Sequence, residues 1–167
     1  MKKMKFKWDE TESVTSNVRT QLTRASRAYF EAGRDAVRAG AAPADLHAFR
    51  LRTKRFRYTL ELFEPLYGPA FERMIRSLRR IQQLLGDIND CVTARKLVEE
   101  NGNGRSPQVR RVLRTLDRRQ GERIAELAQT WPEFDRAGAC ERWLKYLAAH
   151  SGRAAPEPAR RSRSARP

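Results

Sequence analysis

The sequence is poor in cysteine and histidine, with two of each, and has no long apolar run. Cys91 and Cys140 form neither a CxxC pair nor a Cys/His metal spacing, so we predict reduced thiols in a protein core. No segment approaches the roughly 18 consecutive apolar residues of a membrane-spanning helix. Residues 1–8 are basic without a following apolar stretch, which does not fit a secretory signal. These absences predict a cytoplasmic protein.

The chain also lacks the common short motifs of enzymes and of nucleic-acid-binding modules. It has no P-loop, HExxH or GxSxG motif. It has no zinc finger, RNP motif or convincing helix-turn-helix. His47 is the one candidate general base, and no residue stands out as a nucleophile. We therefore predict a non-enzymatic protein that needs no cofactor.

What the chain has instead is positive charge: 35 Lys and Arg against 20 Asp and Glu, a net charge of +15. Residues 151–167 hold five Arg and one Glu and so contribute +4, which leaves +11 (15 − 4) for the rest. A folded body with this much charge of one sign repels itself and usually binds a polyanion. Charge alone leaves nucleic acid, an anionic membrane and a phosphate polymer open.

Apolar residues recur at helical spacing, and no Val, Ile or Thr run alternates with period two. We predict an all-α fold, an antiparallel helical bundle of about four long helices plus a short C-terminal helix, over residues 9–150. Residues 1–8 form an N-terminal segment, and residues 151–167 a basic tail that we predict to be disordered. The helices are expected at about residues 9–38, 44–64, 69–100, 106–130 and 136–149.

The helix ends and the core can also be predicted. Asp9 or Thr11 suits the cap of the first helix, and Pro43 or Asp45 the first turn of the second. Gly86 is expected to kink the third helix or to begin a new turn. The expected core stripes are Val14, Val18, Leu22, Ala25 and Tyr29; Leu46, Phe49, Thr53, Phe56, Leu60 and Phe63; Phe71, Met74, Leu78, Ile81 and Leu85; and Val109, Val112, Leu116, Ile124 and Leu127, with Trp131, Phe134 and Trp143 covering one end.

A cationic ridge runs along the second predicted helix. At 100° per residue, its members lie within about 80° of one another. The core stripe flanks the ridge on one side, and a second apolar strip flanks it on the other. We therefore predict that the ridge lies in a groove between packed elements; the alternative is an ordinary solvated face. The ridge is His47, Arg50, Lys54 and Arg57, and the second strip is Leu51, Tyr58 and Leu62.

The third and fourth helices carry further basic sets. Arginine greatly outnumbers lysine in them, and a guanidinium makes forked hydrogen bonds to phosphate oxygens. The fourth-helix set is the weaker one, because Glu122 lies four residues beyond Arg118 and can pair with it. The sets are Arg73, Arg76 and Arg80, with Arg79 beside them, and then Arg111, Arg114 and Arg118.

Asp87 and Asp90 close the basic face of the third helix. Two carboxylates three residues apart could hold a divalent metal, but such residues more often pair with nearby arginines and fix their orientation. We favour orientation and predict no metal site. A neutral His47 could donate one hydrogen bond to a phosphate oxygen.

Residues 46–63 and 78–91 resemble the two motifs of the CHAD domain, the conserved histidine α-helical domain. The first motif is a histidine followed by basic residues at +3, +7, +8 and +10, and the second is a basic helix that leads into Leu-Gly and then Asp. The matching residues are His47, Arg50, Lys54, Arg55 and Arg57 in the first motif and Arg79, Arg80, Leu85, Gly86 and Asp90 in the second.

The resemblance implies an all-helical domain with two related four-helix halves around a basic channel. It also implies binding of inorganic polyphosphate and an association with polyphosphate granules. This chain departs from the pattern in two ways. It has one His-basic motif where a full domain has two, so it resembles a half-length or compact variant in which two chains could pair as a homodimer to complete the channel. It has Asn89 where many relatives have Arg, which removes one possible phosphate contact.

The leading hypothesis is therefore non-enzymatic binding of inorganic polyphosphate. The alternative is a nucleic-acid binder that uses the basic surface and tail, although the ridges lack exposed aromatic residues on which bases could stack. The predicted polyphosphate site is His47, Arg50, Lys54, Arg55, Arg57, Arg73, Arg76, Arg79 and Arg80, with Arg111, Arg114 and Arg118 as a secondary basic set.

Overall fold

The structure, a computed structural model, describes residues 7–38 and 42–150, and every regular element in these ranges is helical. The elements are α1 (Val14–Ala36), α2 (Pro43–Phe63), a single 3₁₀ turn (Glu64–Leu66), α3 (Pro69–Asn101), α4 (Pro107–Phe134) and α5 (Ala139–His150). Four long helices and a short final one confirm the predicted all-α bundle. None of the described helices combines the length and hydropathy that crossing a membrane requires. The predicted tail, residues 151–167, and most of the N-terminal segment lie outside the described residues.

The helix ends correct several sequence predictions. Ser13, not Asp9 or Thr11, caps α1: its hydroxyl accepts a hydrogen bond from the backbone N–H of Ser16 at 3.1 Å. Asp9 instead accepts from the backbone N–H and the hydroxyl of Thr11, which closes the turn before the helix. Pro43 and Asp45 do lie in the first turn of α2, as predicted.

Two further expectations about α3 and α4 fail for the same reason, which is that packing outweighs local propensity. The third helix continues through Gly86 as a single element. The fourth passes Thr130 and includes Pro132 before it ends at Phe134. Trp131 is buried and Phe134 half-buried against aromatic rings of α1, which holds the last turn helical despite the missing proline N–H.

All five helices contribute to the core, and aromatic rings of α1, α2, α4 and α5 fill its centre. Tyr29 stacks on Phe49 and Phe56 at centroid distances of 5.3 and 4.6 Å. Its hydroxyl lies 3.2 Å from the hydroxyl of Thr53, which itself donates to the Phe49 carbonyl. Burial raises the pKa of the Tyr29 phenol, and the bond to Thr53 lowers it less. Cys91 and Cys140 are both buried thiols, as predicted.

The core stripes of the first three helices are confirmed with three exceptions, and that of the fourth is confirmed at one residue. Val14 is exposed, and Phe63 and Met74 are only half-buried. Along α4 only Leu127 of its predicted stripe is buried, and Val112 is 45% exposed. The reason is that most of α4 packs against α3 alone, so its apolar side chains meet one neighbour rather than a full bundle.

Candidate functional site

Helices α2 and α3 lie antiparallel, and side chains of the cationic ridge join them along one line, here called the α2–α3 seam. His47 contacts Asn89, Arg57 contacts Gln82, and Glu61 contacts Arg79. As the residue number rises along α2, that of its partner falls along α3. The seam residues recur at steps of three and four, so each helix supplies one straight stripe. The α2 stripe is His47, Arg50, Lys54, Arg57 and Glu61, and the α3 stripe is Arg79, Gln82, Gly86 and Asn89.

At one end of the seam, Arg57 is held from three sides. Its Nε donates to Oε1 of Gln82 at 2.8 Å, and its Nη1 donates to Oε1 of Glu61 at 2.5 Å. The guanidinium carbon lies 4.4 Å from the centre of the Tyr58 ring. Glu61 also accepts from Nη2 of Arg79 at 3.0 Å. One carboxylate therefore draws together two guanidiniums from different helices and fixes their spacing.

At the other end, Asn89 sets the orientation of His47. The Asn89 side-chain oxygen lies 2.7 Å from Nδ1 of the imidazole, and because a carbonyl oxygen accepts, Nδ1 carries the proton. A neutral ring has one N–H, so the predicted donation from neutral His47 to a phosphate would have to break this bond. Nε2 is free to donate only when the ring is protonated on both nitrogens.

Between these two ends lie two cations without counter-ions. Arg50 is half-buried and Lys54 is exposed, and neither makes a hydrogen bond or ion pair with any described residue. The Lys54 ammonium lies 5.7 Å from the centre of the Tyr58 ring. Uncompensated charge beside a packed seam is less screened than charge on long side chains in open solvent. This middle section of the seam therefore attracts anions.

The groove prediction is confirmed in part: the ridge lies where α2 packs against α3, but no described element forms a second wall on its other side. Of the second apolar strip, Tyr58 is 49% exposed and Leu62 72% exposed, whereas Leu51 is half-buried. The physical reason is that α1 and α3 cover the core face of α2 and no described element covers its outer face. The seam is therefore open on this side. Two cavities, of about 360 and 620 Å³, lie elsewhere, between α1 and α2 and beside the start of α1.

The remaining predicted residues divide between the seam and its surroundings. Of the third-helix set only Arg79 reaches the seam; Arg73 and Arg80 lie roughly 160° or more around α3 from Gln82. Arg76 pairs with Glu72 at 3.5 Å. Four of the predicted site residues are exposed outside the seam: Arg55, Arg73, Arg76 and Arg80.

The secondary basic set on α4 lies on a different surface. Val109, Leu113 and Leu116 are half-buried on the side of α4 that faces α3, which places the arginines on the opposite side. Arg118 pairs with Glu122 at 2.7 Å, as the spacing predicted. This set is exposed and lies apart from the seam; its members are Arg111, Arg114 and Arg118.

The prediction that the acidic pair on α3 contacts nearby arginines is confirmed for Asp87, whose partner lies on α4, and is not confirmed for Asp90. Asp87 accepts from Nε2 of Gln83 at 2.8 Å and lies 4.0 Å from Nε of Arg123 on α4. Asp90 makes no hydrogen bond or ion pair with the part of the chain that the structure describes. Its carboxylate faces solvent. The arginine-orienting carboxylate is Glu61, which the charge pattern did not single out.

Gln82 and Glu61 are functional candidates that sequence reasoning missed, and Asn89 was read only as a lost contact. The sequence nevertheless contains a signal that points to all three residues. Gln82 and Asn89 continue the three-and-four spacing of Arg79 along α3, and Glu61 continues the ridge of α2 by one more turn. Polar residues in register on two adjacent antiparallel helices predict contacts across the seam.

The structure is a basic helical bundle in which cationic side chains line the junction of two antiparallel helices. Residues 5–99, which are more than half of the chain, match the CHAD domain, and the chain belongs to that family. The family is associated with polyphosphate binding. The match ends within α3, so α4 and α5 lie outside it. The chain matches none of the curated proteins and none of the solved structures with which it was compared.

Proposed function

We propose that this protein binds inorganic polyphosphate without catalysing a reaction on it, and that the α2–α3 seam is the binding site. The observation that carries the proposal is the pair Arg50 and Lys54. They have no counter-ion among the described residues and lie between two ends of the seam that hydrogen bonds hold together. A linear polymer with about one negative charge per phosphate can run along such a channel. Guanidinium groups bind its oxygens in a forked geometry, and counterion release makes affinity fall steeply with salt.

The decisive experiment compares two triple variants that each remove three positive charges. R50A/K54A/R57A alters the seam, and R111A/R114A/R118A alters the exposed face of α4. Each charged hydrogen bond contributes about 1 kcal/mol or more, so the seam variant should lose on the order of 100-fold in polyphosphate affinity. The α4 variant should lose less than about threefold, because its arginines lie in screened solvent. Both are measured by calorimetry at physiological salt.

The fold of the variants is checked by circular dichroism, and R50A/K54A serves as a second seam variant. Neither of its residues makes a hydrogen bond or ion pair with a described residue, so their removal should leave the helices unchanged. Equal losses in the two triple variants would contradict the site assignment. Phosphate release from polyphosphate in the presence of magnesium or manganese would contradict the non-enzymatic assignment.

Nucleic acid is tested in the same assay by competition. Polyphosphate should displace labelled duplex DNA and single-stranded RNA from the protein at physiological salt, whereas neither nucleic acid should displace polyphosphate efficiently. The seam offers no flat row of aromatic rings on which bases could stack; Tyr58 is engaged with Arg57. The reverse order of competition would favour the nucleic-acid function.

We also propose that two chains pair over the open side of the seam. Support comes from the outward apolar strip of Tyr58 and Leu62, which lies beside the ridge and is exposed in the single chain. Light scattering after size exclusion should give a dimer mass in the presence of polyphosphate, and L62E should give a monomer mass. A wild-type monomer that binds tightly would contradict pairing but not the seam. A dimer would bind the polymer on two sides, which fits recruitment to polyphosphate granules.

A further inference from the structure

The fold itself gives no reason for a glycine at position 86 of α3. Gly86 lies in the interior of a 33-residue helix, where glycine is less favourable than alanine because its backbone loses more entropy on folding. Its φ is not positive, since Gly138 is the described glycine with a positive φ. A Cβ at Gly86 would have no described atom within 4 Å beyond its chain neighbours and its own helix backbone. Neither backbone geometry nor close packing therefore requires glycine here.

The register of the seam places Gly86 opposite the two unpaired cations. Asn89, Gly86 and Gln82 follow one another at steps of three and four along α3. Asn89 meets His47 and Gln82 meets Arg57 across the seam. The α3 residue between these two contacts therefore faces the α2 residues between them, which are Arg50 and Lys54. Gly86 leaves the floor of the channel without a side chain at this place.

We propose that Gly86 forms a notch in which one phosphoryl group of the polyanion sits against the backbone of α3, beneath Arg50 and Lys54. The proposal rests on the proposed function of the seam and adds the position of a specific subsite. The N–H groups of a helix interior are engaged within the helix, so the glycine supplies space rather than hydrogen bonds. The guanidinium and the ammonium supply the bonds, and close approach to the backbone lets both reach one phosphate.

The test is a substitution that should both stabilise the folded protein and weaken its binding of polyphosphate. G86A should raise the midpoint of thermal unfolding by about 2–4 °C, as expected for a glycine-to-alanine change in a helix of a protein this size. It should weaken polyphosphate binding about threefold, and G86L about tenfold or more, as the lost space costs up to one charged hydrogen bond. Calorimetry with polyphosphate of defined length gives the dissociation constants.

The matched control is G121A. Gly121 also lies inside a long helix, and a Cβ there would likewise meet no described atom within 4 Å, but it is exposed on α4 away from the seam. G121A should raise the unfolding midpoint by a similar amount and leave affinity unchanged. If G86L binds polyphosphate like the wild type while R50A/K54A does not, the proposed phosphate notch at Gly86 is wrong, but the seam remains the binding site. A wild-type chain that does not bind polyphosphate overturns the proposed function itself.

Discussion

At the scale of single residues, Gly33 of α1 packs closely against Trp131 of α4. The indole ring occupies the place of a side chain at Gly33: an added Cβ would lie 1.9 Å from Cη2 of Trp131. This contact joins the end of α4 to α1, beside the Arg34–Asp135 ion pair, in which Nε and Oδ2 lie 2.7 Å apart. The sequence does not reveal the role of Gly33, because a glycine inside a helical pattern gives no sign of the ring that covers it.

We predict that G33A destabilises the protein although alanine is the better helix former. The gain in helix propensity is about 1 kcal/mol, whereas forcing a methyl group against a buried indole costs about 1–3 kcal/mol or more. The net loss is measured by urea unfolding followed by circular dichroism. In a W131L background the same substitution should cost less, because the clashing ring is gone. An equal cost in both backgrounds would show that the ring contact is not responsible.

At the scale of elements, the sequence predicts the cationic stripe of α2 well and its surroundings less well. Helical spacing places His47, Arg50, Lys54 and Arg57 on one side of the helix, and that side is the one that meets α3. Spacing alone does not say which apolar strip is covered, because Leu62 and Leu60 have the same hydropathy. Tertiary packing decides that Leu60 is buried and Leu62 exposed. The helix ends are missed for a similar reason, since Trp131 packs firmly enough to carry α4 past Pro132.

The carboxylate of Glu61 gives a test of the seam as an element. It holds Arg57 and Arg79 together but also presents negative charge to an incoming polyanion. E61Q keeps an oxygen that can accept hydrogen bonds and removes the charge, so polyphosphate affinity should rise about two- to fivefold. E72Q on α3 is the matched control, because Glu72 pairs with Arg76 outside the seam and the change in net charge is the same. Equal effects of the two variants would mean that only total charge matters.

At the scale of the whole molecule, charge is distributed between a folded body and a basic tail. The tail, residues 151–167, carries +4 and the rest carries +11. A short run of arginines binds any polyanion loosely and is strongly screened by salt. In the seam, Gln82 and Glu61 hold the guanidiniums of Arg57 and Arg79 in place beside Arg50 and Lys54. We therefore assign the preference for polyphosphate to the body and a general attraction for polyanions to both parts.

Removal of the tail separates these contributions. A chain that ends at residue 150 should lose more affinity for single-stranded RNA than for polyphosphate, because only the latter uses the seam. The salt dependence of polyphosphate binding should become less steep as the tail's phosphate contacts are lost. Fluorescence anisotropy over a range of salt concentrations measures both quantities. A larger loss for polyphosphate than for RNA would place the preference in the tail.

The central claim, that a phosphate polymer lies along the α2–α3 seam, is tested most directly by nuclear magnetic resonance. Polyphosphate is titrated into the ¹⁵N-labelled chain, and the shifts of backbone amides and arginine Nε–H groups are followed. We predict the largest changes at Gly86, Asn89 and Arg57, with Arg111 and Arg114 nearly unmoved. Changes confined to α4 or to residues 151–167, with the seam unaffected at saturating polyphosphate, would contradict the account.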